Sequence, residues 1–453
     1  MPAHIWDYDV GIFNQSIARP LVICKGNSML AVVFLVIVFL VCLNVPIAVS
    51  VASASLLYIL TEDLPFSVIP QQMFQIVDSF PFLAFPMFML VGSLMNTGGM
   101  SRRIFDFAES IVGHFRGGLA HVNVVASLIF SGMSGSAISD AGGLGSIEIE
   151  AMTERGYEPG FAVAITSASS TIGPIVPPSV PVIIYAMAFD ASIGRLFLGG
   201  FLPGLLMTVA LMVMIYFYSI KKDFPRGAQP SLKNILQTLK KSALAMLTPV
   251  VLLGGMFSGI FTPTEAAVVA VVWAMFLGLI VHKELKLNHL PAIFLDVFVR
   301  MGVVLFLLAT VGIFTWILTR ENVPELLLNF IASAEISAPA FLMIANIILL
   351  FMGMVTTVTP SIILLAPIFY PIIVKLGIDP VHFGIVVILN LMIGNLTPPV
   401  GPVLFVVSTI GNVPFFKAFK HTLPFILPLL VVLLLITYIP QIVLFIPNLF
   451  MSK

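Results

Sequence analysis

Residues 172–181 read IGPIVPPSVP, so four prolines fall within ten residues of an otherwise apolar stretch. Proline lacks a backbone N–H donor and clashes with the preceding helical turn, which costs roughly 3 kcal/mol inside a helix. Unpaired backbone N–H and C=O groups cannot face lipid, because each costs several kcal/mol there. The stretch therefore predicts two half-helices around an unwound centre, with carbonyl groups freed inside the protein. A simple proline kink is the alternative, but a kink needs only one proline.

A second stretch, residues 393–402, reads IGNLTPPVGP and has a similar pattern. The shift that carries Pro177 onto Pro398 is 398 − 177 = 221 residues. The same shift carries further residues onto identical ones, namely Gly132-Met133 onto Gly353-Met354, Gly156 onto Gly377, Pro159 onto Pro380 and Pro203 onto Pro424. Similarity at one fixed offset indicates an internal repeat. We therefore predict two copies of one unit, at residues 81–219 and 293–448.

The composition favours a membrane protein. Of the 453 residues, 59% are hydrophobic and only 9% are charged, whereas a soluble domain carries about 25% charged residues. The 21 basic and 21 acidic residues cancel, so bulk charge gives no reason to expect nucleic-acid binding. The two cysteines show no metal-binding spacing. The composition thus predicts an all-α polytopic protein embedded in the lipid bilayer.

A spanning helix needs about 20 mostly apolar residues. Candidate spans lie at 29–60, 81–97, 160–190, 196–219, 242–260, 264–281, 293–318, 381–410 and 421–448. Polar islands interrupt two further apolar segments, 118–153 and 338–375, and predict re-entrant helical hairpins there. The resulting division is an N-terminal extension at 1–28, scaffold or arm helices at 29–80, the first repeat at 81–219, central scaffold helices at 220–292 and the second repeat at 293–448. Each repeat contains one hairpin and one discontinuous helix, at 160–190 or 381–410.

The positions of lysine and arginine predict how the two copies are oriented. Cytoplasmic loops are rich in these residues, and the densest basic segment runs from residue 221 to residue 241. Tracing the spans from that segment makes the first copy enter from outside and the second from the cytoplasm. The copies are then inverted, as in many secondary transporters. Two opposed copies have two near-equivalent packings, one open to each side of the membrane.

The polar islands read SGMSGSAISD at residues 131–140 and GMVTTVTPS at residues 353–361. Small hydroxyl residues also join ordinary membrane helices, but two dense islands, each paired with a proline break, favour a binding role. Hydroxyl and freed carbonyl oxygens form Na⁺ sites where helices are discontinuous. The sequence predicts one Na⁺ site from Ser131, Ser134, Gly173, Val176 and Pro178, and a second from Thr356, Thr359, Gly394, Thr397 and Val400.

A substrate cavity is expected between the two predicted Na⁺ sites. Its predicted lining is Asp140, Thr166, Ser169, Ser170 and Asn390. An ionisable side chain at membrane depth is rare and usually functional, but Asp140 could equally cap the second hairpin helix. Glu148 and Glu150 follow on the same segment and are expected at the hairpin mouth, in the membrane interface.

Several motifs resemble one transporter family over residues 29–453. They are NVPIA at 44–48, DSFPFLAFP at 78–86, RGGLAHVNV at 116–124, SGSA at 134–137 and GPIVPPS at 173–179. In these motifs the chain is similar to the large membrane subunit of tripartite ATP-independent periplasmic (TRAP) transporters. The resemblance implies an elevator-type fold of the ion-transporter superfamily and a multi-pass location in the bacterial inner membrane. Residues 1–28 depart from the family pattern.

The same resemblance implies Na⁺-coupled import of an organic anion, such as a sialic acid or a C4-dicarboxylate. It also implies two partners, a small membrane subunit and a periplasmic substrate-binding protein. Family members use the hairpin serines and the Gly-Pro-Pro loop for Na⁺, which match Ser131, Ser134, Gly173, Val176 and Pro178 of this chain.

Three other functions compete with this interpretation. A stand-alone Na⁺/carboxylate symporter would share the inverted hairpins but need no binding protein. A passive channel is disfavoured, because the sequence contains nothing like a selectivity filter repeated around a pore. An enzyme is not expected, because the seven histidines form no HExxH pattern and are expected near span ends or in loops.

Overall fold

A computed structural model describes residues 22–43, 45–77, 83–222, 224, 227 and 229–451, with the backbone alone for residues 22–28, 42, 76, 77 and 134. Most of the predicted N-terminal extension and residues 78–82 of one motif lie outside the described residues. Every regular element in the described ranges is helical. Seven of the described helical segments are long and apolar enough to cross a membrane, so the chain is a multi-pass membrane protein.

The first described helices are α1 (Val22–Cys42), α2 (Ile47–Thr61) and α3 (Val68–Val77). The single span expected across residues 29–60 is wrong, because α1 ends at Cys42 and α2 begins at Ile47. Pro46 immediately precedes α2 with φ of −53°. Its missing N–H cannot continue the hydrogen bonds of the preceding helix, so the chain starts a new helix there.

The helices of the two predicted copies follow each other in the same order. The first copy contains α4 (Ala84–Thr97), α5 (Met100–Val112), α6 (Gly118–Ser134), α7 (Ala137–Glu154), α8 (Pro159–Ser170), α9 (Val180–Ala188) and α10 (Ile193–Lys222). Between the copies lie α11 (Leu232–Phe257) and α12 (Pro263–Phe276), which continues as a π-helical turn at Leu277–Val281. The second copy contains α13 (Leu290–Arg320), α14 (Val323–Ser333), α15 (Ala338–Val355), α16 (Val358–Lys375), α17 (Pro380–Gly394), α18 (Pro402–Ile410), α19 (Phe415–Tyr438) and α20 (Gln441–Phe450).

The helix boundaries agree with the offset that the sequence motifs define. Both ends of α16 lie 221 residues after the ends of α7 (358 − 137 and 375 − 154). The other helices correspond within a few residues, except that α13 covers the positions of both α3 and α4, and that α19 and α20 together take the place of α10. Pro440 separates α19 from α20, so the expected span at 421–448 is divided. That the two copies are inverted in the membrane stays a prediction.

Three helices were not expected from the apolar runs: α3, α5 and α14. In α5, Arg102 and Asp106 are exposed while Ile104, Phe105 and Ala108 are buried. This alternation at helical spacing marks a helix that packs one apolar face and leaves the charged face outside. A search for continuous apolar runs misses such a helix.

Each copy contains a helix–turn–helix and a broken helix. The chain turns from α6 into α7 at Gly135 and from α15 into α16 at Thr356 and Thr357. The broken helices are α8–α9 and α17–α18, with unwound loops at 171–179 and 395–401. The helix interruptions therefore fall where the prolines and polar islands predict them.

Aromatic side chains pack the two copies against each other around the broken helices. Phe189 of α9 lies 5.9 Å from Phe383 of α17, and Phe161 of α8 lies 5.8 Å from Phe425 of α19, between ring centroids. Tyr185 of α9 donates a hydrogen bond to the carbonyl oxygen of Pro380 at 2.9 Å. Such ring pairs contribute about 0.5–1.5 kcal/mol each beyond their burial. Both unwound loops are thus held by one continuous packed core.

Candidate functional site

In the first copy, the α6–α7 turn is packed against the unwound loop 171–179. The backbone N–H of Val180 donates to the carbonyl oxygen of Gly135 at 3.2 Å. Gly135 has φ of +58°, and a Cβ atom built on it would lie 2.3 Å from the carbonyl oxygen of Pro178. Only glycine adopts this backbone conformation at low cost and permits so close an approach. The structure therefore brings together the turn and the loop of the first predicted Na⁺ site.

The carbonyl oxygens predicted as ligands of this site accept no hydrogen bonds from the described part of the protein. The oxygens of Ile172 and Pro174 accept hydrogen bonds from within the loop. Those of Gly173, Val176 and Pro178 accept none from the described groups. Unpaired buried carbonyls are uncommon in folded proteins, so three in one loop mark a place where a cation could bind.

The two hydroxyl residues predicted for this site differ in what the structure shows. Ser131 is buried, and its hydroxyl donates to the carbonyl oxygen of Leu128 at 2.5 Å. Its oxygen keeps lone pairs free for a ligand. Ser134 is the last residue of α6, and its side chain lies outside the described residues.

In the second copy, the α15–α16 turn is packed in the same way against the loop 395–401. The backbone N–H groups of Val400 and Gly401 donate to the carbonyl oxygen of Met354, at 3.1 and 3.2 Å. The side-chain amide of Asn395 is assigned with its nitrogen towards two carbonyl oxygens. In this orientation it donates to Gly353 at 2.8 Å and to Thr356 at 3.0 Å. The turn and loop of the second predicted Na⁺ site are therefore also in contact.

Some of the predicted ligand oxygens of the second site accept hydrogen bonds within the protein, and others accept none from the described groups. The carbonyl oxygens of Thr397 and Val400 accept no hydrogen bond from the described groups. The carbonyl oxygen of Gly394 accepts two from Thr397, from its N–H at 2.9 Å and from its hydroxyl at 2.7 Å. Thr356 is buried, and Thr359 is half-buried in the first turn of α16. The participation of Gly394 stays a prediction.

Four of the predicted substrate residues lie close together on α7 and α8. Asp140, Thr166, Ser169 and Ser170 are all buried. Asn123 of α6 joins two of them, because its amide nitrogen donates to Thr166 at 2.7 Å and its amide oxygen accepts from Ser169 at 2.6 Å. The hydroxyl of Ser170 bonds within α8, to the carbonyl oxygen of Ser167 at 2.9 Å. The first copy thus contains a polar cluster between α6, α7 and α8.

The fifth predicted substrate residue, Asn390, belongs to a different contact. Its amide nitrogen donates to Asn346 of α15, at 2.9 Å to the carbonyl oxygen and at 2.8 Å to the side-chain oxygen. Asn346 in turn donates to Thr437 of α19 at 3.1 Å. These hydrogen bonds hold α15, α17 and α19 together and do not reach the polar cluster of the first copy.

The expectation for Glu148 is wrong. Its side chain is 1% exposed and lies inside the first copy, whereas Glu150 is exposed as expected. Because α7 makes one turn every 3.6 residues, two residues are enough to move a side chain from the buried to the exposed face. Two histidines, His121 in the first turn of α6 and His382 in the first turn of α17, lie near helix ends as expected and are buried.

The side chains that sequence analysis did not single out are chiefly amides. Asn123, Asn346 and Asn395 each join a hairpin to the broken helix beside it. The sequence does contain a signal for them: each is a single asparagine within an apolar run. A buried amide needs hydrogen-bond partners, so such an asparagine indicates a polar contact between helices. No group of three or more His, Cys, Asp or Glu side chains in the described ranges is placed to hold a metal ion.

One cavity lies away from these predicted residues. It has a volume of about 630 Å³ and is lined by residues of α9, α10, α13 and α16, among them Thr315, Thr319 and Tyr370, and by Asp190 between α9 and α10. None of the predicted Na⁺ or substrate residues lines it. In this conformation the polar cluster of the first copy is closed, as the burial of its side chains shows.

Comparison with known proteins gives consistent similarities along almost the whole chain. The family model described as "Tripartite ATP-independent periplasmic transporter, DctM component" matches residues 30–442. The sialic acid TRAP transporter large permease protein SiaM of Vibrio cholerae is 44% identical over 410 residues, covering 90% of this chain and 96% of SiaM. The C4-dicarboxylate TRAP transporter large permease protein DctM of Pseudomonas aeruginosa is 39% identical over 377 residues, covering 83% and 88%.

A solved structure is similar in fold. The crystal structure of the YdaH transporter of Alcanivorax borkumensis superposes with a TM-score of 0.62, covering 82% of this chain and 87% of YdaH. The two sequences are 14% identical, so this similarity concerns the fold alone.

Proposed function

The chain belongs to the family of TRAP transporter large membrane subunits, the DctM component, and from this premise we propose that it is a Na⁺-coupled importer of an organic anion. Members of this family are transporters and not enzymes.

The observation that carries the Na⁺ proposal is the pairing of a helical turn with an unwound loop in each copy. In the first copy three loop carbonyls, of Gly173, Val176 and Pro178, have no hydrogen-bond donor among the described residues. In the second copy those of Thr397 and Val400 have none. Neutral oxygens at discontinuous helices suit Na⁺, so we assign one Na⁺ to each copy.

The electrical balance favours more than one Na⁺ for each anion. Inward movement of one positive charge releases about 2.3 kcal/mol per 100 mV of membrane potential. Two Na⁺ ions entering with a singly charged anion carry one net positive charge inward, so the potential and the Na⁺ gradient both drive uptake. With a doubly charged dicarboxylate, two ions would give no net charge, and a third cation is needed for the potential to contribute.

An anionic substrate fits the ends of the half-helices. Helix α9 begins at Val180 and α18 begins at Pro402, both directly after the unwound loops. The N-terminus of a helix carries a partial positive charge that favours anionic groups. We propose an acidic sugar such as sialic acid, or a C4-dicarboxylate, because the similar proteins SiaM and DctM are named for these substrates.

We propose an elevator mechanism, in which the two hairpins and broken helices move together against the remaining helices. The ring contact between Phe189 of α9 and Phe383 of α17 joins the two broken helices and supports their movement as one body. As in a TRAP system, a small membrane subunit and a periplasmic binding protein would complete the transporter in the bacterial inner membrane. A stand-alone Na⁺/carboxylate symporter is the alternative.

Uptake into proteoliposomes tests the proposal. The chain is reconstituted with and without the small subunit and the binding protein encoded with it, and radiolabelled sialic acid, succinate and related acids are offered with an inward Na⁺ or K⁺ gradient. We expect uptake of one substrate class only with Na⁺ and with both partners present. Na⁺-dependent uptake by this chain alone would favour the stand-alone symporter. Equal uptake in Na⁺ and K⁺ would contradict the Na⁺ proposal.

A further inference from the structure

Two carboxylates are buried in the first copy without a basic partner. Asp140 and Glu148 both lie on α7, are each 1% exposed, and have no hydrogen-bond partner for any carboxylate oxygen within 3.5 Å. Burying one ionised carboxylate without compensation is already costly, and a second charge nearby adds repulsion. Two negative charges cannot both remain in this place without an added cation.

A chain of polar side chains connects the two carboxylates. The hydroxyls of Ser127 and Thr166 lie beside Asp140 and Glu148, respectively, without forming a hydrogen bond of standard geometry to either carboxylate. Between these two hydroxyls, Ser127 donates to Ser169 at 3.2 Å, Ser169 donates to Asn123 at 2.6 Å, and Asn123 donates to Thr166 at 2.7 Å. We call these four side chains and the two carboxylates the α7 polar chain.

The second copy forms its hairpin without the two buried acids. The 221-residue shift places Ile344, Ile348, Val387 and Phe369 where the first copy has Asn123, Ser127, Thr166 and Glu148. It places the neutral Ser361 and Asn390 where the first copy has Asp140 and Ser169. A hairpin of this kind therefore needs no buried carboxylate, so the two acids of the first copy call for a function of their own.

No basic side chain on the neighbouring helices compensates the pair. Helices α4, α5, α6, α8 and α18 pack against α7, and α4, α8 and α18 have no titratable side chain. Helix α6 contributes His121, whose ring nitrogens have no hydrogen-bond partner. The charged residues that α5 contributes are exposed or partly exposed: Arg102, Arg103, Asp106 and Glu109. Arg155, after the end of α7, pairs with Glu109 at 2.6 Å.

The two carboxylates differ in their position on the helix. Asp140 lies in the first turn of α7, where the partial positive charge of the helix N-terminus stabilises a negative side chain. Glu148 lies in the middle of α7 and lacks this stabilisation. Eight residues of α-helix span about 12 Å, so one metal ion cannot bind both carboxylates. Asp140 therefore ionises more readily, and Glu148 is the carboxyl group that keeps its proton.

We propose that Glu148 binds a proton in this conformation while Asp140 is ionised, so that the first copy contains a proton site separate from the two Na⁺ sites. The proton comes from a hydronium ion of the surrounding solution: one of its O–H bonds breaks, leaving water, as the O–H bond of the neutral carboxylic acid forms. When the pH rises and Glu148 loses this proton, a second negative charge is left in the closed first copy. This conformation then becomes less stable, and transport slows.

Infrared spectroscopy of the purified full-length protein tests the proposal without any substrate. A protonated carboxylic acid has a C=O stretching band apart from those of ionised carboxylates and backbone amides. We expect such a band at neutral pH, its loss in Glu148→Gln and its retention in Glu150→Gln, which changes an exposed acid two residues away. A band that persists in Glu148→Gln, or that disappears when Na⁺ is added at constant pH, would overturn the proposal.

The pH dependence of uptake gives a second test, which rests on the proposed function. As the pH is raised, uptake by the natural chain and by Glu150→Gln should fall, because Glu148 then loses its proton. Uptake by Glu148→Gln should be independent of pH, because glutamine cannot lose the proton. Equal pH profiles for Glu148→Gln and the natural chain would contradict the proposal. If no variant transports, the infrared result still decides the protonation of Glu148.

Discussion

The backbones of Gly353 and Gly394 are in direct contact. A Cβ atom built on Gly394 would lie 2.6 Å from the Cα atom of Gly353, and one built on Gly353 would lie 2.5 Å from the carbonyl oxygen of Leu391. All of these atoms belong to the backbone, so no flexible side chain can move aside. This contact sets the distance between the second hairpin and the second broken helix, and with it the geometry of the second predicted Na⁺ site.

Replacing Gly394 by alanine should therefore separate α15 from α17. Forcing a methyl group into a packed contact costs about 1–3 kcal/mol. We expect the purified Gly394→Ala protein to unfold at a lower temperature and to lose Na⁺-dependent uptake, although it still inserts into the membrane. Gly302→Ala in α13 is the control, because a Cβ atom there meets nothing within 4 Å. Equal melting temperatures for the two variants would show that the contact is not as tight as described.

Gly135 provides a corresponding test in the first copy. Its φ of +58° disfavours alanine, and a new Cβ atom would also collide with the carbonyl oxygen of Pro178. Gly156 also has a positive φ, of +83°, but a Cβ atom there has no neighbour within 4 Å. Alanine at a left-handed position costs about 1–2 kcal/mol, so Gly156→Ala measures the conformational cost alone. We expect Gly135→Ala to be the less stable of the two and to need more Na⁺ for uptake. If Gly135→Ala and Gly156→Ala lose the same stability, the close approach of Gly135 to the carbonyl oxygen of Pro178 is disproved.

The sequence predicts the broken helices well because proline and glycine act locally. The prolines at 174–181 exclude a continuous helix whatever the rest of the chain does, and the structure unwinds there. The same offset of 221 residues locates the second break. The turns of both hairpins are likewise local, because they follow from dense groups of Ser, Thr and Gly.

The partners of buried polar side chains could not be predicted in this way, because they depend on which helices pack together. The sequence predicts Asn390 in the substrate cavity but gives no sign that its amide nitrogen donates to Asn346; its substrate role stays a prediction. Glu148 was placed at the interface from its distance along the chain, whereas the rotation of α7 turns it inward. The amphipathic helix α5 is not predicted from apolar runs, because charged residues alternate with its apolar residues and no continuous apolar run results.

The Asn346–Asn390 contact predicts coupled effects of mutation. Replacing either asparagine by alanine leaves a buried polar group without its partner, which costs about 1–3 kcal/mol. Each single variant already loses the Asn346–Asn390 hydrogen bonds, so the double variant cannot lose them a second time. Its loss of stability should therefore be smaller than the sum of the two single losses, by about 0.5–3 kcal/mol. Unfolding temperatures and denaturant midpoints of the three variants measure this coupling. Additive losses, together with weaker substrate binding in Asn390→Ala alone, would instead support a substrate-binding role for Asn390.

Thr356→Val tests the second predicted Na⁺ site with almost no change in shape. Valine removes the hydroxyl oxygen of a buried side chain whose only hydrogen bond among the described groups is to the carbonyl oxygen of Thr357, at 3.2 Å. If this oxygen binds Na⁺, the Na⁺ concentration for half-maximal uptake should rise about tenfold, the change that a loss of roughly 1.4 kcal/mol produces. Thr409→Val is the matched control, because Thr409 is exposed on α18 and its hydroxyl bonds within that helix. The same Na⁺ dependence in Thr356→Val, Thr409→Val and the natural chain would remove the Thr356 hydroxyl from the predicted site.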